Sequence, residues 1–571
     1  MVGLFKDTQV FYQSGKKNTD IPVTIGWIFA FLACLEILAY TYKGVFSIVA
    51  SWIWLAGMVY LFGSSFWLSV SDLVNDFKNK RYIAPVLMIA FCVITFWGAG
   101  ITGIRWVDYE AAQEIGAGLS SWSTPDRGYM SLSFWGYPTR QYAFLAIPSL
   151  VFGKSLLVLN VTFDFIFIAS ALSMYRGLKS FLAPVMESPG IGASIIVFGV
   201  FTSPLVLLYT RVCEQAMLPS AFTMLAIGCF FSYLRDGKPA DAVRLGIVGG
   251  FLGAMYTPGL ATAGLLAAAL VFKAIGAVSG RSRKEMKPYR DSAFLDLGLC
   301  LYIVVVTGIS VVLLREKSSL TIGATAQNYV STTIISILTE DPYGLFRGLT
   351  IVAIAYLLLS LAGILTVYDV YLSIWVVLVI VMAVMMKGVN GNSYVSIQRA
   401  TPAIPVLVSA VGYHVISNSK RLKNFGKWIA WILACAAVAV SIAINLVSPI
   451  YSKNISKERG IIQTRIVREI KRAIKENGLD RENLTLLYYV DNVYIKNIYD
   501  YMKYFEPKMT VAIIESPIIN KAFKDGDYII AAISDATIPA DLVQIYGEPT
   551  KAVLFSDTKQ YLLEMITVNN P

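Results

Sequence analysis

The chain has 571 residues, of which 56% are hydrophobic, 13% aromatic and only 15% charged, too little polar surface to clothe a soluble globule of that size. Its net charge of +11 is of a size that suits nucleic acid. However, residues 452–571 hold 16 Lys/Arg against 16 Asp/Glu, so the whole excess lies among the apolar runs and sets membrane orientation instead.

Runs of roughly 17 to 25 apolar residues, long enough to cross about 30 Å of hydrocarbon as helices, recur from Ile21 onward. The fold class expected is a polytopic α-helical membrane protein. Positive charge collects in short loops: Lys78, Lys80 and Arg81; Arg176 and Lys179; Arg235, Lys238 and Arg244; Arg281, Arg283, Lys284, Lys287 and Arg290; Lys420, Arg421, Lys423 and Lys427. The positive-inside rule puts these loops in the cytoplasm, in a multi-pass protein of the plasma (inner) membrane, and nucleic acid drops out as a partner.

Residues 1–20 read as a cytoplasmic head without a cleavable signal, and spans follow at Ile21–Tyr40, Val45–Val70 and Ile83–Ile104. The third delivers the chain to a polar outer island, Arg105 to Gln141. Tyr142–Phe152, broken by Pro148, suits a helix lying in the interface. Ser155–Tyr175 returns inward, Ile191–Tyr209 crosses outward, and Gln215–Leu234 crosses back after a short turn holding Arg211, Cys213 and Glu214.

As a single crossing, Arg244–Ile275 would strand the most basic loop outside. The Tyr256-Thr257-Pro258-Gly259 sequence predicts a break into two short antiparallel spans. Leu297–Leu314 then goes out, Arg315–Arg347 forms an outer loop, and spans at Gly348–Val367 and Tyr371–Met386 lead to another outer loop, Gly388–Pro405. Ile404–Val415 and Trp428–Val447 complete an expected total of about 13 crossings. Residues 1–450 are thus the expected transmembrane domain, with the loop 105–154 carrying its chemistry.

Residues 451–571 change character. Ile461–Asn477 has helical periodicity with Gly478 as a stop, and Leu484–Val490, Met509–Glu515, Tyr528–Ser534 and Ala552–Phe555 read as strands separated by helical stretches. That alternation predicts a small α/β domain, extracytoplasmic by the parity of crossings. It shows no glycine-rich phosphate loop and reads as a stabilising or acceptor-docking module. Six cysteines, scattered without CxxC or Cys/His spacing, support neither a disulfide framework nor a thiolate metal site. His414, the one histidine, reads as a packing residue.

The outer island holds the chemistry. Asp108 and Glu110 sit just where a helix leaves the bilayer, a costly place for carboxylates that neither bind nor catalyse. Either they solvate the helix end, or one removes a proton from an attacking hydroxyl, or both hold a divalent cation. Glu214 stands on a different short outer turn and is able to share a cavity with Asp108. Arg140 and Arg399 stand on two further outer loops, suited to bidentate capture of a lipid-borne phosphate or, alternatively, to snorkelling.

Asp108-Tyr109-Glu110, Gly136-Tyr137-Pro138-Thr139-Arg140, Phe152-Gly153-Lys154-Ser155-Leu156 and Arg399-Ala400-Thr401-Pro402-Ala403-Ile404-Pro405 together resemble motifs of the GT-C class of integral-membrane glycosyltransferases. The resemblance is to the protein O-mannosyltransferase and aminoarabinose transferase group, which uses polyprenyl-phosphate sugars, and the helical plan with a terminal outer domain extends it over the chain. Tyr109 separates two acids that are adjacent in much of the O-mannosyltransferase family, and Thr139 stands where a second proline is common.

The resemblance implies an inverting transfer of a sugar from a polyprenyl-phosphate donor to an extracytoplasmic glycan, lipid or protein acceptor. It implies Asp108 as general base, Glu110 and Glu214 as further catalytic acids, Arg140 and Arg399 on the donor phosphate, and Tyr137 and Tyr109 on substrate. No cofactor is expected; a divalent cation (Mg or Mn), if used, falls to Asp108, Glu110 and Glu214. Two alternatives remain at this stage. One is a transporter or flippase of a lipid-linked sugar, kept open by Asn160 and Asp164 inside a span; the other is an oligosaccharide polymerase or ligase.

Overall fold

The structure, a computed structural model, describes residues 20–96, 146–153, 156–184, 186–201, 217–255, 257–278 and 286–317, scattered positions between 402 and 478, and five strands beyond them. Ten helices are described: α1 Asp20–Tyr42, α2 Gly44–Lys78, α3 Ile83–Phe96, α4 Ala146–Phe152, α5 Leu156–Leu182, α6 Pro189–Val200, α7 Met217–Asp236, α8 Pro239–Gly253, α9 Thr257–Val278 and α10 Met286–Lys317. Six contain stretches long and apolar enough to cross a membrane, Ile21–Tyr42, Gly44–Lys78, Val161–Leu182, Leu218–Asp236, Gly259–Gly276 and Arg290–Leu313, and Ile83–Phe96 and Pro189–Val200 are shorter apolar helices. The expected spans after residue 317 lie outside the described residues except at scattered helical positions within 404–415 and 428–447.

Local chemistry sets where the helices turn. Lys43 and Gly44, both at positive φ (52° and 55°), reverse the chain between α1 and α2, and glycine makes half of that reversal inexpensive. Gly237, at φ 61°, stops α7 with its amide donating to the Tyr233 carbonyl at 2.9 Å, the usual left-handed helix stop. Pro239 then opens α8 and Pro189 opens α6, positions where a missing amide hydrogen costs nothing. The expected break before Pro258 is present: α8 ends at Gly253 and α9 starts at Thr257.

Side-chain contacts fix the direction of each helix. Trp27 meets Phe294 and Phe29 meets Tyr302, so α1 and α10 run the same way. Phe66 meets Phe165, and Asp76 meets Tyr175, so α2 and α5 also run together. Ser173 faces Cys229, and Phe181 stacks on Phe231, which aligns α7 with α5. Gly190 lies against Ala84, and Phe198 against Phe91, which aligns α6 with α3. Arg176 meets Asp241 while Phe222 meets Phe251, so α8 opposes α5 and α7. Lys273 and Asp296 bring the end of α9 to the start of α10.

The core is therefore an up-and-down bundle, with α1, α3, α6, α8 and α10 running against α2, α5, α7 and α9. Its interior is a continuous apolar cluster in which Phe91, Phe198, Phe201 and Phe222 are fully buried. Trp27, Phe31, Trp52, Trp67 and Val93 are exposed on the outside of α1, α2 and α3, the surface expected of helices bathed in lipid tails. Small residues let the helices approach closely: a Cβ on Gly177 would strike the backbone of Gly228, and one on Gly228 would strike the backbone of Ser173.

Three helices are longer than their apolar runs. α2 extends to Lys78, α5 to Leu182, and α10 starts at Met286 and ends at Lys317. The sequence reading closed each at its first charged residues. Several of those charges are paired inside the bundle, so the helix continues through them.

Beyond the bundle, β1 Leu484–Tyr489, β2 Thr510–Ile514, β3 Tyr528–Ile533, β4 Lys551–Phe555 and β5 Tyr561–Thr567 form one sheet in the order β2-β1-β3-β5-β4. β1 pairs in parallel with β2 (Thr485 beside Thr510) and with β3 (Leu484 beside Tyr528). β5 pairs antiparallel with β3 and β4. The sequence reading found the first four strands and passed over β5. The parallel pairs require crossovers, and the segments that make them lie outside the described residues, as does the expected helix Ile461–Asn477 except at a few positions.

Gly228→Ala or Gly177→Ala should destabilise the bundle by about 1–3 kcal/mol, because backbone stands where the new methyl would go. Gly63→Ala, with nothing within 4 Å of its added Cβ, should be neutral or slightly stabilising. Denaturation in mixed detergent micelles with increasing SDS measures all three.

Candidate functional site

The alternating helix directions divide the bundle into two ends. One gathers the last turns of α2, α5, α7 and α9 and the first turns of α3, α6, α8 and α10. It therefore holds Lys78, Lys80, Arg81, Arg176, Lys179, Arg235, Lys238, Arg244, Lys273 and Arg290, and is called the basic end below. The other end gathers the α1–α2 reversal, the α8–α9 break, the ends of α3, α6 and α10 and the starts of α5 and α7.

At the basic end the charges form three groups. In the first, Asp76 on α2 accepts from Lys179 Nζ at 2.5 Å and from the Tyr175 hydroxyl at 3.3 Å, and Asp72 lies 3.5 Å from the same lysine. In the second, Asp241 Oδ1 on α8 accepts from Arg176 Nη1 on α5 at 3.1 Å and from Arg244 Nη2 one turn further along α8. Asp241 and Arg244 are 0% and 1% exposed. In the third, Asp296 on α10 accepts from the Tyr233 hydroxyl at 2.6 Å and from Lys273 Nζ at 2.7 Å. The same ammonium sits 4.4 Å from the centroid of the Tyr233 ring, a cation–π contact strengthened by burial.

The first two groups are opposite halves of one arrangement. Asp72, Asp76 and Lys179 leave one negative charge in excess; Arg176, Arg244 and Asp241 leave one positive. Arg176 and Lys179 share the last turns of α5, so the excesses lie side by side and cancel. The third group is neutral by itself. A buried cluster with no charge left over binds helices together and is poorly suited to recruiting a charged ligand.

Toward the opposite end of the bundle, among the described residues, the Trp54 indole donates to the buried Glu36 Oε1 at 2.7 Å between α1 and α2. Trp54 also packs edge-on against Phe251, near the end of α8. Asp164 is buried within α5. Sequence reading singled out Asp164 but passed over Glu36, Asp76, Asp241 and Asp296. For the last three the available signal was an acid near the charged end of a span with a base on a neighbouring one.

The residues expected to carry chemistry, Asp108, Tyr109, Glu110, Tyr137, Arg140, Glu214 and Arg399, lie outside the described residues, as do His414 and the side chain of Asn160. Their neighbours in the chain are described. α3 ends at Phe96 on the way to Asp108, α4 follows Arg140, and α7 opens at Met217 just after Glu214. The termini of α3, α6 and α7 that flank these segments belong to the end opposite the basic one. Among the described residues no group of three His, Cys, Asp or Glu is placed to hold a metal, and Cys34, Cys92, Cys229, Cys300 and Cys435 are free thiols.

No protein-family model and no curated protein matches this chain. Among solved structures, the crystal structure of ArnT from Cupriavidus metallidurans bound to undecaprenyl phosphate is similar over 84% of this chain and 97% of its own, with 12% identity and a TM-score of 0.44.

Asp241→Ala should cost about 3–5 kcal/mol, because it strands two guanidinium groups without a counter-charge. By contrast, the exposed pair Arg472–Glu476, 63% and 55% exposed at 2.7 Å, should be worth about 0.3–0.5 kcal/mol. Resistance to SDS denaturation tests the first; thermal unfolding of the whole chain with Glu476→Ala tests the second.

Proposed function

We propose that the protein is a membrane glycosyltransferase that moves a sugar from a polyprenyl-phosphate carrier to an acceptor hydroxyl on the outer side of the plasma membrane. The observation that carries this reading is the polarity of the bundle. The helix termini flanking Asp108 and Glu214 belong to one end, and most of the Lys and Arg residues of the described bundle gather at the other. With the basic end in the cytoplasm, both carboxylates belong to the outer side, where lipid and exterior meet. The motifs around Asp108, Tyr137, Arg140 and Arg399 support it through their resemblance to those of GT-C enzymes.

In this mechanism Asp108 accepts the proton of the acceptor hydroxyl. The oxygen attacks the anomeric carbon from the face opposite the carrier; a new glycosidic C–O bond forms, the bond from that carbon to the phosphate oxygen breaks, and configuration inverts. Polyprenyl phosphate leaves with the bonding pair, its charge held by Arg140 and Arg399. Glu110 and Glu214 position the acceptor, with Tyr109 and Tyr137 against the sugar. Residues 1–450 carry the catalysis, through about 13 crossings, and residues 451–571 form an outer α/β module that docks the acceptor or stabilises the catalytic domain.

Purified protein given a radiolabelled polyprenyl-phosphate sugar and an acceptor glycan should transfer label. Asp108→Asn should lower the rate by about 10²- to 10⁴-fold with folding intact, and near-normal turnover in that variant removes Asp108 from the role. Chelation with EDTA should leave the rate unchanged. A loss restored by Mg²⁺ or Mn²⁺ would instead assign Asp108, Glu110 and Glu214 to a cation.

A further inference from the structure

We infer that the basic end of the bundle is a permanent closure, so that lipid-linked substrate enters and leaves at the opposite end alone. The part about substrate rests on the sugar-transfer reading; the closure does not. Had the protein carried its ligand across the membrane, the basic end would have to part during each cycle. The first candidates to separate would be the helices that meet there, α2 from α5, α5 from α8, and α7 from α9 and α10.

The first two seams are fastened by buried charge pairs, Asp76–Lys179 at 2.5 Å and Arg176–Asp241 at 3.1 Å, and at the third the Tyr233 hydroxyl of α7 donates at 2.6 Å to Asp296 of the Lys273–Asp296 pair that joins α9 to α10. The acids at the last two seams are 0% exposed. Separating one dehydrated pair lowers the open population by about 100-fold or more. Three seams parting together compound that factor.

Charge balance separates a closure from a binding site. The bases Arg176, Lys179, Arg244 and Lys273 face the acids Asp72, Asp76, Asp241 and Asp296, so these paired groups between the helices keep no net positive charge for a lipid phosphate to neutralise. Tyrosine hydroxyls complete two of the groups, Tyr175 on Asp76 and Tyr233 on Asp296. α5 and α7 also touch backbone to backbone at Gly177 and Gly228, which leaves no room between them for a lipid to pass.

Cys229 reports on this closure. It is 2% exposed, lies beside Gly228, and its sulfur is 4.0 Å from the Ser173 hydroxyl between α5 and α7. In a variant keeping Cys229 as its sole cysteine, reconstituted in vesicles, a membrane-impermeant maleimide applied from the basic side should label Cys229 about 100-fold more slowly than in SDS. The rate should not change on adding undecaprenyl phosphate or an undecaprenyl-phosphate sugar.

Lys179→Met and Asp241→Asn, each in that background, should raise the labelling rate, and either suffices if the other fails to fold. Labelling accelerated by the lipid, or no acceleration in a folded seam variant, overturns the closure. Transfer measured on the same vesicles keeps the two ideas apart. A silent Cys229 without transfer refutes only the sugar-transfer reading, and a reactive Cys229 with transfer refutes only the closure.

Discussion

The last turns of α5 hold the described bundle together. Tyr175, Arg176 and Gly177 project at roughly 100° intervals around a helix, and Lys179 returns to the face of Tyr175 one turn on, so these few positions face three different neighbours. Tyr175 and Lys179 reach Asp76 on α2, Arg176 reaches Asp241 on α8, and Gly177 lies against Gly228 on α7. One turn of one helix thereby fixes the position of three others. The third charge group extends the same plane from α7 to α9 and α10 through Tyr233, Lys273 and Asp296.

Placing charges there is expensive, because an ion leaving water loses several kcal/mol of hydration that its partner only partly restores. Packed leucines of similar volume would have held the helices at least as tightly. What the ion pairs add is register. An apolar face tolerates sliding by part of a turn, whereas an aspartate facing one lysine and one hydroxyl does not. In a membrane this matters more than in water, since lipid tails are as apolar as the helix faces and hydrophobicity alone does not choose a partner.

The sequence made the membrane class and the helix alternation legible because apolar run length and loop charge are one-dimensional signals. The α8–α9 break was found from Pro258-Gly259 and the parity of basic loops, and four of the five strands from their alternation. β5 was missed although Tyr561–Thr567 is apolar; Glu564 in its middle and the short gap after β4 masked it. The charged helix extensions were misread for a related reason. Arg176 and Lys179 look like loop charges until Asp241 and Asp76 are known to face them, and a partner some 65 or 103 residues away in the chain leaves no local trace. The acids and arginines expected to form the site lie outside the described residues, and among the described ones Glu36 with Trp54, a pair between two helices, was not legible.

The same geometry links the basic end of the bundle to the chemistry proposed for the other. α5 has 27 residues, a rod of about 40 Å at 1.5 Å per residue. A tilt of a single degree about its fastened end moves the far end by about 0.7 Å, and a misplacement near 1 Å is enough to cost on the order of 10²-fold in rate. Under the proposed transfer, a base and an acceptor hydroxyl presented by the segments next to α3 and α7 would need those helices held to within about two degrees. If that end also admits a lipid, as the proposed transfer requires, packing there would not supply the stiffness. The buried ion pairs of the basic end would, and a protein working at one membrane face would then gain from concentrating its most costly interactions at the other.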